Sequence, residues 1–231
     1  MLDKIKNGLV VSCQALEGEP LFGAGIMKHM AEAAKRGGAA AIRANGAEDI
    51  KAIKDYVNLP VIGIVKSEYS NSDVYITPTL KEVQELVDVE ADLIALDATS
   101  RLRPEGVTLS QFMEELTSIF PEQKWMADCS TIEECKLAEK LGFDCVGTTL
   151  YGYTDETSGK MLYDEDFKFL KEVISNVNIP VIAEGNVLTP EMAAKAVTYG
   201  AHAVVVGGAI TRPQQITDRF VKEILSKREI Q

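Results

Sequence analysis

Four short apolar runs each carry a side chain that can do chemistry. Gln14 closes LVVSCQ (9–14), Lys66 closes PVIGIVK (60–66), Asp128 stands in KWMADCS (124–130) and Glu184 in PVIAEGN (180–186). An amide, an ammonium and two carboxylates are costly to bury unless they pair or meet a ligand. Together they suit proton transfer at carbon, where one group removes a proton and another returns one or steadies the charge that forms. A lysine acting as base needs a lowered pKa, because at an ordinary ~10.4 only about one in 2,500 is neutral at pH 7. Burial and the cation Arg43 in AAIRA (40–44) would push Lys66 down, while Asp128 and Glu184 would push it up, and the sequence leaves the sum open. A structural lysine–carboxylate network is the alternative reading of the same set.

The elements that must position these residues repeat. With ADLIALD (91–97), CVGTTL (145–150) and AVVVGG (203–208) there are eight such runs, one about every 28 residues. Their nearly unbroken hydrophobicity fits parallel strands covered on both faces. Between them lie helical patterns, among them GIMKHMAEAAKRG, AEDIKAIKDYV, TLKEVQELVDV, LSQFMEELTSIF, TIEECKLAEKLG, DEDFKFLKEVISNV and TPEMAAKAVTYG. Thr131 with Glu134 has capping-box spacing, Thr189-Pro190 reads as an N-cap with proline at the first helical position, and Gly37, Gly142 and Gly200 are expected to close their helices. Eight successive βα units without a linker predict an α/β fold, a single (β/α)8 TIM barrel spanning 1–231 as one domain. A doubly wound open sheet fits less well, since SCQALEGEP after the first run has no GxGxxG opening a helix.

Active sites of such barrels lie at the C-terminal strand ends. Period-two alternation turns Ile62, Ile64 and Lys66 inward, together with Met126 and Asp128, Ile182 and Glu184, Val10, Ser12 and Gln14, and Ala41 and Arg43. Gln14, Lys66, Asp128 and Glu184 then come from strands one, three, five and seven, and Lys66 faces Glu184 across the mouth. The loops GNVLTP and GGAITRP follow strands seven and eight, the corner where barrels commonly bind phosphate. Gly185, Asn186, Gly207, Gly208 and Arg212 are the expected phosphate contacts. In GTTLYGYT, Thr148 and Tyr151 are candidate substrate contacts, although Tyr151 and Tyr153 read equally well as ordinary loop aromatics.

Composition narrows the partners. With 24 Lys and Arg against 35 Asp and Glu, the 231 residues carry a net charge of −11, so no global positive field invites nucleic acid or an anionic membrane. The start resembles no secretory leader, and no apolar run reaches the ~18 residues of a span. Cys13, Cys129, Cys135 and Cys145 form no CxxC pair and read as reduced core thiols of a cytoplasmic protein. No metal site is expected: His29 falls within a helical segment and His202 just before the last strand, at the closed end, so the inward His ligands of metal-dependent barrel epimerases are missing. Strand six carries no lysine for Schiff-base aldolase chemistry.

SCQALEGEPL, AIRANG, IGIVK, ADCST, GTTLYGYT, VIAEGN and VVVGGAITRP, taken together, resemble the bacterial N-acetylmannosamine-6-phosphate 2-epimerases from end to end. The resemblance implies a barrel of the ribulose-phosphate-binding type that interconverts N-acetylmannosamine 6-phosphate and N-acetylglucosamine 6-phosphate in sialic acid catabolism. It also implies no metal or nucleotide cofactor, and a homodimer. Lys66 is then the base at C2 and Glu184 its acid or electrostatic partner. Gln14 and Arg43 would contact the N-acetyl and oxygen groups, Asp128 would orient hydroxyls or Lys66, and Gly185, Gly207, Gly208 and Arg212 would take the phosphate. A lysine-dependent phosphosugar aldolase or isomerase, or a non-catalytic phosphosugar-binding barrel, are the competing readings.

Overall fold

A computed structural model describes residues 1–228. Eight parallel strands close into a barrel in chain order: β1 (Gly8–Cys13), β2 (Ala41–Asn45), β3 (Val61–Ile64), β4 (Leu93–Asp97), β5 (Trp125–Asp128), β6 (Cys145–Gly147), β7 (Val181–Ala183) and β8 (Ala203–Val206). Val10 stands opposite Ala41 on one side and Val205 on the other, which joins the last strand to the first. The ladders are shorter than the apolar runs. Gln14, Lys66 and Glu184 lie one or two residues past their strand ends, where the backbone is released but still aimed by the strand.

The helices are α1 (Leu2–Ile5), α2 (Ala24–Arg36), α3 (Ala47–Tyr56), α4 (Leu80–Asp88), α5 (Leu109–Ile119), α6 (Ile132–Lys140), α7 (Asp164–Asn176), α8 (Pro190–Thr198), α9 (Gly208–Thr211) and α10 (Pro213–Arg228). All seven periodic segments named from the sequence are helical. Thr131 and Glu134 form the expected capping box, and Thr189 accepts from the Met192 amide ahead of which Pro190 starts α8. The end of α2 differs from expectation: Gly37 keeps a right-handed φ of −76°, and the left-handed turn falls on Gly38 at +95°. α10 was not among the segments expected from the sequence, and it keeps large apolar residues in solvent.

Alternation divides the interior into two cores. Val10, Ala41, Ile62, Ile64, Leu93, Ala95, Met126, Cys145, Ile182, Ala203 and Val205 fill the barrel, whereas Val11, Ile42, Val61, Ile94, Trp125, Val146, Val181 and Val204 pack under the helices. Every inward assignment made from the strand sequences belongs to the barrel side. Beyond Lys66 the chain folds back on itself, with Lys66 bridged to Ile76 and the Ser67 amide donating to Tyr75, so that Ile76 plugs the barrel from above.

Candidate active site

A cavity of about 600 Å³ opens at the C-terminal strand ends. Its floor and walls include Gln14, Arg43, Lys66, Thr149 and Glu184, and its rim is formed by the loops after β7 and β8.

The floor is a charge cluster. Arg43, almost wholly buried, reaches across the barrel from β2: Nη2 donates to Asp128 Oδ2 at 2.6 Å, and Nη1 donates to Asp128 Oδ1 at 3.1 Å and Glu184 Oε2 at 2.9 Å. Planar two-pronged donation is what a guanidinium offers and an ammonium does not. Thr149 Oγ1 lies 2.6 Å from Asp128 Oδ1 and 3.3 Å from Glu184 Oε2. Two carboxylates share one guanidinium here. Burial, aided by the Asp128 charge and opposed by Arg43, pushes the Glu184 carboxyl up to about 7.

Lys66 hangs over this floor. Its amide donates to Asn45 Oδ1 at 2.8 Å, which ties the residue to the end of β2, while its ammonium makes no hydrogen bond or ion pair among the described residues. Burial first, then the cations Arg43 and Arg212, lower the Lys66 pKa against the opposing pull of Glu184 and Asp128. The balance that the sequence left open thus falls on the side of a lowered pKa, the direction a basic role requires. Lys66 and Glu184 line one cavity without pairing, so a small molecule can lie between them.

The remaining residues divide by position. Gln14 Nε2 donates to Ser12 Oγ at 2.9 Å, leaving its amide oxygen for the cavity. Gly185, Asn186, Gly207, Gly208 and Arg212 share one rim. Gly185 at φ +111° and Asn186 at +54° make the left-handed turn that folds the β7 loop back over the mouth. Arg212 pairs with Glu19, Nε to Oε1 at 3.2 Å.

Three expected substrate contacts lie away from the cavity. Asp128 has no exposed surface, because Arg43 and Thr149 cover both of its oxygens. Thr148 points outward from the barrel axis and clips β6 to β7, accepting from the Glu184 amide at 3.0 Å and donating to the Glu184 carbonyl at 2.7 Å. Tyr151 stacks on Phe169 of α7, ring centroids 3.9 Å apart. Tyr153 lines the cavity instead, with its hydroxyl 3.3 Å from Asn186 Oδ1. Thr149 was legible by the same alternation, two residues beyond inward Gly147. Tyr75 comes from the fold-back after Lys66, and Gln215 and Arg219 come from α10; nothing in their local sequence marks them as cavity residues.

A family model described as "Putative N-acetylmannosamine-6-phosphate epimerase" matches residues 27–226. A protein of Oceanobacillus iheyensis named "Putative N-acetylmannosamine-6-phosphate 2-epimerase" is 57% identical over 221 residues, covering 96% of this chain and 100% of its own. One of the same name from Enterobacter sp. (strain 638) is 59% identical, covering 97% and 95%. The solved N-acetylmannosamine-6-phosphate 2-epimerase of Clostridium perfringens superposes with a TM-score of 0.91 at 52% identity, over 96% of this chain and 95% of that one.

Proposed function

The chain belongs to the N-acetylmannosamine-6-phosphate epimerase family, and we propose that it inverts C2 of N-acetylmannosamine 6-phosphate by proton transfer between Lys66 and Glu184, without metal or nucleotide. The product is N-acetylglucosamine 6-phosphate, a step of sialic acid catabolism. Once the sugar ring opens, the C1 aldehyde makes the C2 proton removable, provided the site accepts the charge that moves onto oxygen. Inversion requires a proton to leave one face and another to arrive on the opposite face.

The observation that carries this reading is the unpaired facing of Lys66 and Glu184 across one cavity, with their pKa values drawn toward each other. A neutral Lys66 with a protonated Glu184 holds as many protons as an ammonium with a carboxylate. One proton crossing C2 converts the first state into the second, and the reverse reaction converts it back. Arg43, braced by Asp128, holds Glu184 in place from the cavity floor, Gln14 offers its amide oxygen to the acetamido N–H, and the Gly185, Asn186, Gly207, Gly208 and Arg212 rim takes the phosphate.

The chain acts as a homodimer in the cytoplasm. Support for a second copy comes from α10, whose main packing partner is α9 and which leaves Phe220, Val221, Ile224 and Leu225 exposed along one side. An apolar face of that kind is normally covered. Support for the compartment comes from four free, buried cysteines, with the Cys13 thiol pushed up to about 12 by burial. The acidic surface disfavours nucleic acid and anionic membranes, and among the described residues no helix is long and apolar enough to cross a membrane.

Proton NMR of N-acetylmannosamine 6-phosphate in deuterated buffer with a chelator tests the proposal. The expected result is appearance of the gluco epimer carrying deuterium at C2. Epimer without deuterium, or turnover abolished by the chelator, overturns it.

A further inference from the structure

One hydroxyl stands between the buried carboxylate of Asp128 and the partly exposed carboxyl of Glu184. Thr149 Oγ1 has two acceptors in reach, Asp128 Oδ1 at 2.6 Å and Glu184 Oε2 at 3.3 Å, but a threonine hydroxyl carries one proton and cannot serve both. The shorter contact has the length of a charge-assisted O–H···O⁻ bond, so the proton rests on Asp128. Arg43 Nη1 donates to Glu184 Oε2, which makes that oxygen the carbonyl-like one and leaves the acid proton of Glu184 on Oε1, which has no hydrogen-bond partner among the described residues.

We propose that Thr149 is a positioning residue whose hydroxyl proton rests on Asp128 while Glu184 is a carboxylic acid and turns to Glu184 once that acid has given its proton away. This rests on the reading of Glu184 as proton donor. The step balances: the Oε1–H bond of Glu184 breaks, its proton forms the new C–H bond at C2, and Glu184 is left as a carboxylate whose Oε2 gains the Thr149 donor. Asp128 loses that donor but keeps both nitrogens of Arg43.

The surroundings fit a rotor rather than a moving side chain. A β-branched threonine is stiff about χ1, so only the hydroxyl torsion needs to change. Gly147 makes the space, since a Cβ at that position would stand 2.9 Å from Thr149 Oγ1 and 3.3 Å from Asp128 Oδ1. The charged groups facing Glu184 are Arg43 from β2, Asp128 from β5 and Lys66 beyond β3. Arg43 and Lys66 favour the carboxylate, and Asp128 together with burial favours the acid. Burial and Asp128 prevail, and a donor turned onto Glu184 acts directly against them.

The test is a carbon-13 NMR titration of the Glu184 carboxyl in the substrate-free protein, assigned by its absence in Glu184→Gln. Thr149→Val is expected to raise the titration midpoint by about one pH unit, a tenfold gain in proton affinity, and Thr149→Ser to restore it. Thr149→Ala gives the same reading if the valine protein does not fold. An unchanged or lowered midpoint overturns the proposal, because it means that the hydroxyl never leaves Asp128. A merely structural role would lower the unfolding midpoint without moving the titration. The C2 deuterium exchange of the wild type is measured separately: its absence defeats the epimerase reading, and the titration still decides the rotor.

Discussion

The guanidinium of Arg43 lies 2.9 Å from the carboxylate of Glu184, a bond that joins the second strand to the seventh through the middle of the barrel. The same guanidinium holds Asp128 with both terminal nitrogens, so a single cation anchors the acid of the site and the carboxylate beneath it. Removing it strands the fully buried Asp128 carboxylate and takes a cationic donor from Glu184 at the cavity floor. Arg43→Gln is expected to cost roughly 3–5 kcal/mol of stability, the usual penalty for breaking a buried ion pair from one side. Urea unfolding measures it, and a loss below about 1 kcal/mol would mean that water re-enters the floor freely.

Glu184 is raised to about 7 in the folded chain, against an ordinary 4.5. Between those values the folded chain holds a proton that the unfolded chain has released, so stability falls as pH rises through the window and levels off above about 7. Glu184→Gln removes that slope. Melting temperatures across the window should therefore favour the glutamine protein increasingly with pH; parallel curves would place the raised group elsewhere.

Lys66 is a half-buried ammonium without a hydrogen-bonded partner, an arrangement kept for chemistry rather than for folding. Lys66→Met should slow C2 exchange by about 10²–10⁴-fold, the range for loss of a general base. The same change should raise the melting temperature by roughly 2–4 °C, as expected when about 1 kcal/mol of desolvation cost is removed from a chain of this size. Borohydride with substrate should leave the wild-type protein unmodified; a stable adduct on Lys66 would instead establish imine chemistry.

Arg212 is shared between Glu19 and the glycine rim. Arg212→Ala should raise KM by roughly 10–100-fold, the worth of one charge-assisted hydrogen bond to phosphate, with kcat much less affected. A matching fall in kcat at constant KM would move Arg212 from binding into the chemical step.

Phe220 is 69% exposed on α10. If that face is covered by a second copy, Phe220→Glu should convert a dimer into a monomer on size exclusion with light scattering. A wild-type protein that is already monomeric removes the basis for the dimer.

Much of this was legible in the sequence because a strand's side chains alternate with a period of two, and alternation is a local property. It fixed eight strands, their inward faces, and the placement of Gln14, Arg43, Lys66, Asp128 and Glu184 on one side of the wall. Applied one step further along β6 it also selects Thr149 over Thr148. What the local pattern could not supply is which inward groups meet, since that depends on distances across the barrel between residues as far apart as Arg43 and Glu184. Only the closed barrel decided that Asp128 is consumed by Arg43 and Thr149, that Tyr153 rather than Tyr151 faces the cavity, and that Lys66 hangs free with its pKa lowered. Burial and cross-strand charge set those outcomes, and both are properties of the assembled interior.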